Sequence, residues 1–280
     1  MSLARRPGPS VRTRVHELSV LDGAERDVER EDRLVTEEPL EIRLAWPGHP
    51  AERAWVTMRT PGHDFELAAG WLVHEGLLTG PEALHAIAYC TDVDLSAEQE
   101  FNVVTVTLSS APDAEPGHRH TGLSAGSSAC GVCGKDSVAE ALAVTPGARW
   151  AGPLPGPAAV RRLPEALREQ QKVFDRTGGV HAAGLFTAAG EALVVREDVG
   201  RHNAVDKVSG ARLLAGASPA EACLVVSGRA GFELVQKAVT AGVGALVSVG
   251  APTSLSVDLA RTAGLALFGF TSASRCVRYA

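Results

Sequence analysis

Aromatic side chains are scarce in this chain: seven Phe, two Tyr and four Trp among 280 residues. The interior must therefore be built mainly from Ala, Val and Leu, in a chain long enough for one large or two small buried cores. No apolar run approaches the ~20 residues that a membrane-spanning helix requires, so no membrane partner is expected. The N-terminus carries Arg5, Arg6, Arg12 and Arg14 with no apolar stretch behind them, which argues against a secretory signal. Cysteine is sparse too. Cys90, Cys130, Cys133, Cys223 and Cys276 are odd in number and too scattered to staple the fold. That usage fits a reducing cytoplasm, where a close Cys pair is more often catalytic or metal-binding than structural. A broad basic surface is also missing. Between Glu17 and Glu41 ten acidic residues face three arginines, a net of −7 within the chain's −6, which leaves +1 elsewhere. This balance excludes a nucleic-acid footprint but leaves room for a local anion site. The acidic stretch reads as a solvated tail and the outer face of early strands.

Residues 1–30 read as a flexible tail. A β-rich N-terminal domain is expected over 31–125, with strands at Leu40–Trp46, Ala54–Arg59, Ala86–Cys90 and the alternating, β-branched Asn102–Ser109. One helix interrupts them, with Asp64 as its N-cap and Phe65, Ala68, Ala69 and Leu72 on one face. A surface loop follows over Ala111–Gly122. From 126 to 280 the pattern becomes α/β. Helices are expected at Ser137–Ala143, Leu163–Lys172, Asn203–Leu214, Ala230–Ala241 and Ser254–Ala263. Strands are expected at Ala182–Phe186, Glu191–Arg196, Ala222–Ser227, Ala245–Val249 and Leu265–Phe268. The first two of these strands read as a hairpin joined by an Ala-Ala-Gly turn. Apolar strands alternating with helices imply an α/β layer with a largely parallel portion, and ligands in such sheets sit at the carboxyl ends of the strands.

Three polar clusters fall at those ends. Glu197-Asp198-Val199-Gly200-Arg201-His202-Asn203 precedes a helix and presents free N–H groups to an anion. His202 fits a proton shuttle or a hydrogen-bonding cap equally well. Ser227-Gly228-Arg229 offers close backbone approach and a guanidinium able to fork two phosphate oxygens. Ala251-Pro252-Thr253-Ser254 carries hydroxyls that capping of the next helix explains. Together these turns frame one polar groove.

The cysteine pair lies in Cys130-Gly131-Val132-Cys133-Gly134-Lys135, behind a small polar run from Thr121 to Ala129 that reads as a loop. A thiol between glycines, ahead of a helix start and beside Lys135, has its pKa lowered. Such a thiolate can attack a persulfide or a disulfide. Structural zinc lacks further ligands: there is no second Cys-x-x-Cys and no His-x₃₋₅-His. A zinc deaminase lacks its His-x-Glu. A thioredoxin-like pair is expected near the start of a βαβ unit, not mid-chain. A mobile thiolate with a second thiol in reach suits sulfur relay.

With those residues in view, the chain resembles the FdhD/NarQ family, sulfur carrier proteins required for formate dehydrogenase maturation. The similarity runs from about Thr57 to Phe270. It includes the stretch from Arg59 to Leu72, Cys130–Lys135, Gly179–Ala182, Glu197–Lys207, Ser227–Ala230, Phe232–Lys237 and Ala251–Ser254, all in one order. The resemblance implies an α/β (α+β) fold with a cytidine deaminase-like C-terminal domain, lacking deaminase chemistry, and a smaller β-rich N-terminal domain. It also implies a homodimer. Sulfur is expected from a cysteine desulfurase as a persulfide on Cys130, with Cys133 assisting. Delivery is expected to the molybdenum bis(molybdopterin guanine dinucleotide) cofactor of formate dehydrogenase, with GDP as a mimic of that ligand. The cofactor-binding stretch maps onto Phe268, Gly269, Phe270, Thr271, Ser272 and Ala273, and the groove supplies Arg201, His202, Ser227 and Arg229. The stretch departs from the family pattern, which has an Arg- and Gly-rich segment after the aromatic; Arg275 stands in for the missing charge. The alternative is a non-catalytic chaperone for the same cofactor, with the Cys pair as a redox or docking element.

Overall fold

The computed structural model describes residues 6–78, 80–91, 95–96, 99–112, 144 and 146–280. Cys130, Cys133, Lys135, the expected helix at Ser137–Ala143, most of the 111–122 loop and the expected boundary at 125/126 lie outside the described residues.

The first element corrects the expected tail. Strands β1 (Ser10–Leu21) and β2 (Ala24–Val35) form an antiparallel hairpin turned by Asp22 and Gly23, both at positive φ. Charges from both strands pair across it: Arg12 with Glu31 at 3.1 Å, Arg14 with Glu29 at 3.3 Å, and Arg30 with Glu17 at 2.5 Å. Much of the acidic stretch is therefore one side of a cross-strand ladder. Both faces of the hairpin are largely exposed, so no period-two apolar pattern announced it.

A four-stranded sheet follows, built from β3 (Glu38–Trp46), β4 (His49–Arg59), β5 (Leu84–Tyr89) and β6 (Val103–Leu108) in the order β4-β3-β6-β5. Its even-numbered residues Leu40, Ile42, Leu44, Val104, Val106 and Leu108 bury against helix α1 (Asp64–His74), as strand alternation requires. Asp64 is the first helical residue rather than the N-cap, and the N-cap is His63, at φ 58°, without a side-chain cap. The reason lies in Arg59, which is fully buried. Arg59 Nε donates to Asp64 Oδ1 at 3.0 Å and Tyr89 Oη donates to Asp64 Oδ2 at 2.7 Å. A cap contributes about 1 kcal/mol, whereas stranding a buried charge costs about 3–5 kcal/mol, so the pair wins the carboxylate.

The second sheet has six strands: β7 (His181–Phe186), β8 (Ala192–Asp198), β9 (Cys223–Val226), β10 (Ala245–Ser248), β11 (Ala266–Gly269) and β12 (Val277–Arg278), ordered β12-β11-β10-β9-β7-β8. Strands β9, β10 and β11 are parallel, and β7 is antiparallel to both of its neighbours. The carboxyl ends of β8, β9, β10 and β11 thus share one edge. On one face lies α2 (Pro157–Arg168), which begins six residues earlier than expected because Pro157 suits the first helical turn. Its buried Val160, Leu163 and Leu167 fall at helical spacing and meet Ala182, Phe186, Val225 and Val247. A short helix, α3 (Lys172–Thr177), ends at Gly178 in the left-handed region. On the other face lie α4 (Arg201–Leu214), α5 (Phe232–Ala241) and α6 (Ser254–Ala263).

Helix α1 crosses α4 at a pair of glycines. A Cβ on Gly70 would fall 1.8 Å from the Asp206 carbonyl oxygen, and one on Gly210 would fall 1.8 Å from that of Glu66. This close crossing locks the two sheets together. The mixed α+β class expected from the sequence is what the structure has. No helix among the described residues is long and apolar enough to cross a membrane.

Candidate functional site at the carboxyl edge of the six-stranded sheet

The three polar clusters converge, since the turns after β8, β9 and β10 all lie at the shared edge. The turn after β11, which holds Phe270 to Arg275, joins them. Backbone bonds stitch neighbouring turns: Gly250 N–H donates to Gly228 at 3.0 Å and Phe270 N–H to Gly250 at 3.1 Å.

The first cluster divides in two. Asp198, Asn203, Asp206 and Lys207 are fully or almost fully buried and point inward. Asp198 Oδ2 meets Lys207 Nζ at 2.6 Å and accepts from Thr60 N–H at 3.2 Å, while its Oδ1 accepts from Gly200 N–H at 2.8 Å. Lys207 also donates to the Thr60 carbonyl at 2.9 Å, and Asn203 Nδ2 donates to the Met58 carbonyl at 2.8 Å. Thr60 and Met58 belong to the end of β4 and the turn after it, so this half of the motif clamps the two sheets.

One helical turn on, Asp206 Oδ1 meets His74 Nδ1 at 2.5 Å and Lys237 Nζ at 2.6 Å, and Ser209 Oγ lies 3.1 Å from His74 Nε2. Burial pushes the His74 imidazole below its ordinary value. Burial alone would raise Asp206, but Lys237 and His74 outweigh it and hold the carboxyl low. The Ser-His-Asp order matches that of a hydrolase triad. Ser209 is only 2% exposed, however, and no substrate can reach it.

Arg201 and His202 form the outward half. His202 Nε2 sits 2.7 Å from Glu233 Oε2, tying the start of α4 to the first turn of α5. Arg201 is partly exposed and Arg229 exposed. Neither has a carboxylate partner among the described residues, whereas the buried cations Arg59 and Lys207 do. Helices α4 and α5 start at Gly200 and Gly231 with no side-chain cap. Helix α6, by contrast, closes its own N-terminus with a Thr253–Ser256 capping box. Capping does explain the third cluster, with Ser256 rather than Ser254 as the partner. Among the described residues, two helix starts without a side-chain cap and two guanidiniums without a carboxylate partner make an anion site of the kind expected at strand ends.

The remaining expected residues take distinct places. Ser227 Oγ accepts from Ala182 N–H at 2.9 Å and keeps its own proton free to donate. Phe268 is buried in the core on the α2 face, and Gly269 packs where a Cβ would lie 2.8 Å from Pro252. Phe270, at φ 48°, stands 46% exposed with the Arg275 guanidinium 5.5 Å from its ring centroid. Thr271 is buried, while Ser272 and Ala273 are exposed. The structure thus brings Arg201, His202, Ser227, Arg229 and Phe270 to one edge. Phe268 lies beneath that edge, and Cys130 and Cys133 are outside the described residues.

Two edge residues were missed from the sequence, Glu233 and His181. Ala183 and Leu185 pack on the α4–α5 side of β7, so His181, in the same alternation, faces that side as well. Gly228 lies against it, since a Cβ there would be 3.5 Å from His181 Nδ1. A polar residue opening an apolar strand beside Gly179 was the available signal.

A separate cavity of about 590 Å³ lies at the junction of the sheets, lined by Thr60, Pro61, His63, Lys172, Glu197 and others. Its inner charges are spoken for. Arg196 pairs with Glu66, which is held low, at about 2, because Arg196 and His63 outweigh the effect of burial. Glu197 accepts from the Val173 and Phe174 N–H groups. The strand edge, where Arg201 and Arg229 have no carboxylate partner among the described residues, is the better candidate.

A model of the FdhD/NarQ family matches residues 35–280. A sulfur carrier protein FdhD from Streptomyces avermitilis is 49% identical over 250 residues, which cover 86% of this chain and 84% of the relative. Proteins of the same name from Nocardia farcinica and an Anaeromyxobacter species are 46% and 44% identical over 249 and 265 residues. These cover 87% and 89% of this chain, and 85% and 87% of the relatives. A crystal structure provisionally assigned as a formate dehydrogenase accessory protein, from Desulfotalea psychrophila, superposes with a TM-score of 0.68 over 96% of both chains. At 23% identity that match speaks for the fold.

Proposed function

Because this chain belongs to the FdhD/NarQ family, we propose that it is a sulfur carrier acting in formate dehydrogenase maturation. In this reading the Cys130 thiolate attacks the outer sulfur of a desulfurase persulfide. A new S–S bond forms on Cys130, the donor's S–S bond breaks, and the desulfurase cysteine leaves as its thiolate. Cys133 assists as the second thiol. The substrate that receives the sulfur is the molybdenum bis(molybdopterin guanine dinucleotide) cofactor, docked at the strand edge of a homodimer in the cytoplasm.

The observation that supports the docking site is the pair Arg201 and Arg229, without a carboxylate partner among the described residues, beside two helix starts that carry no side-chain cap there. Charge-assisted forks of that kind suit a diphosphate. The exposed Phe270 ring beside them offers a face for a planar base. Sulfur transfer is tested by intact-mass measurement after incubation with a cysteine desulfurase and cysteine. One added sulfur atom on the parent, lost in Cys130→Ala, is expected. No gain on either cysteine, together with restored formate dehydrogenase activity in cells carrying Cys130→Ala, favours the chaperone alternative.

A further inference from the structure

We infer that His181 is the proton-linked contact of the groove, taking up one proton when a diphosphate-bearing nucleotide docks against Arg201 and Arg229. The inference rests on the docking site proposed above and adds a residue and a pH dependence to it. Three observations place His181 there. It opens β7 at the shared edge, paired in register with Asp198. Its alternation turns it toward the starts of α4 and α5. Its ring lies beside Gly228, within the Ser227-Gly228-Arg229 turn, where a Cβ would stand at an ordinary 3.5 Å from Nδ1.

Among the described residues, the charged groups that face it are Asp198 from β8 and Arg201 and His202 from α4. Glu233 of α5 reaches it through His202. From β9, Ser227 and Gly228 bring no charge. Burial, then the positive charges of Arg201 and His202, hold the free imidazole below its ordinary value against the pull of Asp198. With no anion bound, these groups favour the neutral imidazole of His181. A docked diphosphate offsets the two cations and favours the imidazolium. The sign follows: between the free and bound values the complex holds the extra proton, so affinity rises as pH falls and levels off below the free value. Each unit by which binding raises the imidazole corresponds to about a tenfold gain in affinity.

The probe is GDP-mannose, a diphosphate diester with no ionisation of its own near neutral pH. Calorimetry in buffers of differing ionisation enthalpy reads affinity and proton uptake together. The full chain is expected to bind roughly three- to tenfold more tightly at about pH 6 than at about pH 8, with net proton uptake. His181→Gln is expected to shrink that change to under about twofold and to abolish the uptake. Equal uptake in both proteins, or binding to the parent with none, overturns the role of His181 and leaves the docking site standing. No binding to the parent at any pH overturns the docking site itself. If His181→Gln does not fold, the assigned His181 ring resonance of the parent is titrated with and without the probe. A higher pKa in the complex supports the inference, and an unchanged one overturns it.

Discussion

Asp198 and Arg201 stand three positions apart in one motif, yet their surroundings are opposite. Asp198 is fully buried and meets Lys207, Thr60, Gly200 and Asn203. Arg201 reaches the strand edge with no carboxylate partner among the described residues. The difference separates two uses of polar residues. Buried ones persist when every group is matched, and then they fix a geometry, here the register of one sheet against the other. A charge left unmatched at a strand end, beside bare helix N-termini, is available to something outside the chain. A dense polar motif is therefore not a site throughout; in this protein about half of it is a clamp.

The largest effect that sharpens this contrast comes from the clamp. Lys207→Met leaves the buried Asp198 without its cation, and a loss of about 3–5 kcal/mol is expected. Denaturant unfolding followed by circular dichroism measures it. A loss below ~1 kcal/mol would mean that Asp198 is not held as the geometry shows.

The glycines give a smaller and paired effect. Gly210→Ala drives a methyl group into the Glu66 carbonyl at the α1–α4 crossing, so a destabilisation of about 1–3 kcal/mol is expected. Gly228→Ala at the open edge meets its nearest atom at an ordinary 3.5 Å, and its cost should stay within about 0.5 kcal/mol. Equal costs at the two sites would erase the distinction between sealed and open regions.

Much of the second sheet was legible because its strands are short, apolar and bounded by glycine, and α6 begins and ends where its capping residues place it. The helix expected at Leu163–Lys172 ends at Arg168, since the chain turns at Glu169–Gln170 before a second helix starts at Lys172. The hairpin at 10–35 escaped notice because a strand solvated on both faces has no apolar period to read. Asp64 shows a further limit. Its place before an apolar run fits a cap, and only the three-dimensional demand of Arg59 reassigns it. At the edge, Arg201, His202, Ser227 and Arg229 were visible as turn residues after strands. His181 was not, because its membership depends on β7 running antiparallel between β8 and β9. Linear order suggests the β7–β8 hairpin but does not supply the β7–β9 pairing.

The central claim is that Arg201 and Arg229 at the strand edge hold the nucleotide-bearing ligand while the buried half of the motif holds the fold. GDP affinity of the parent and of the Arg201→Gln/Arg229→Gln double variant, with thermal melting on the same samples, tests both parts at once. A loss of about tenfold or more in affinity is expected, with melting shifted by no more than about 2 °C. Unchanged affinity in a folded double variant would contradict the account.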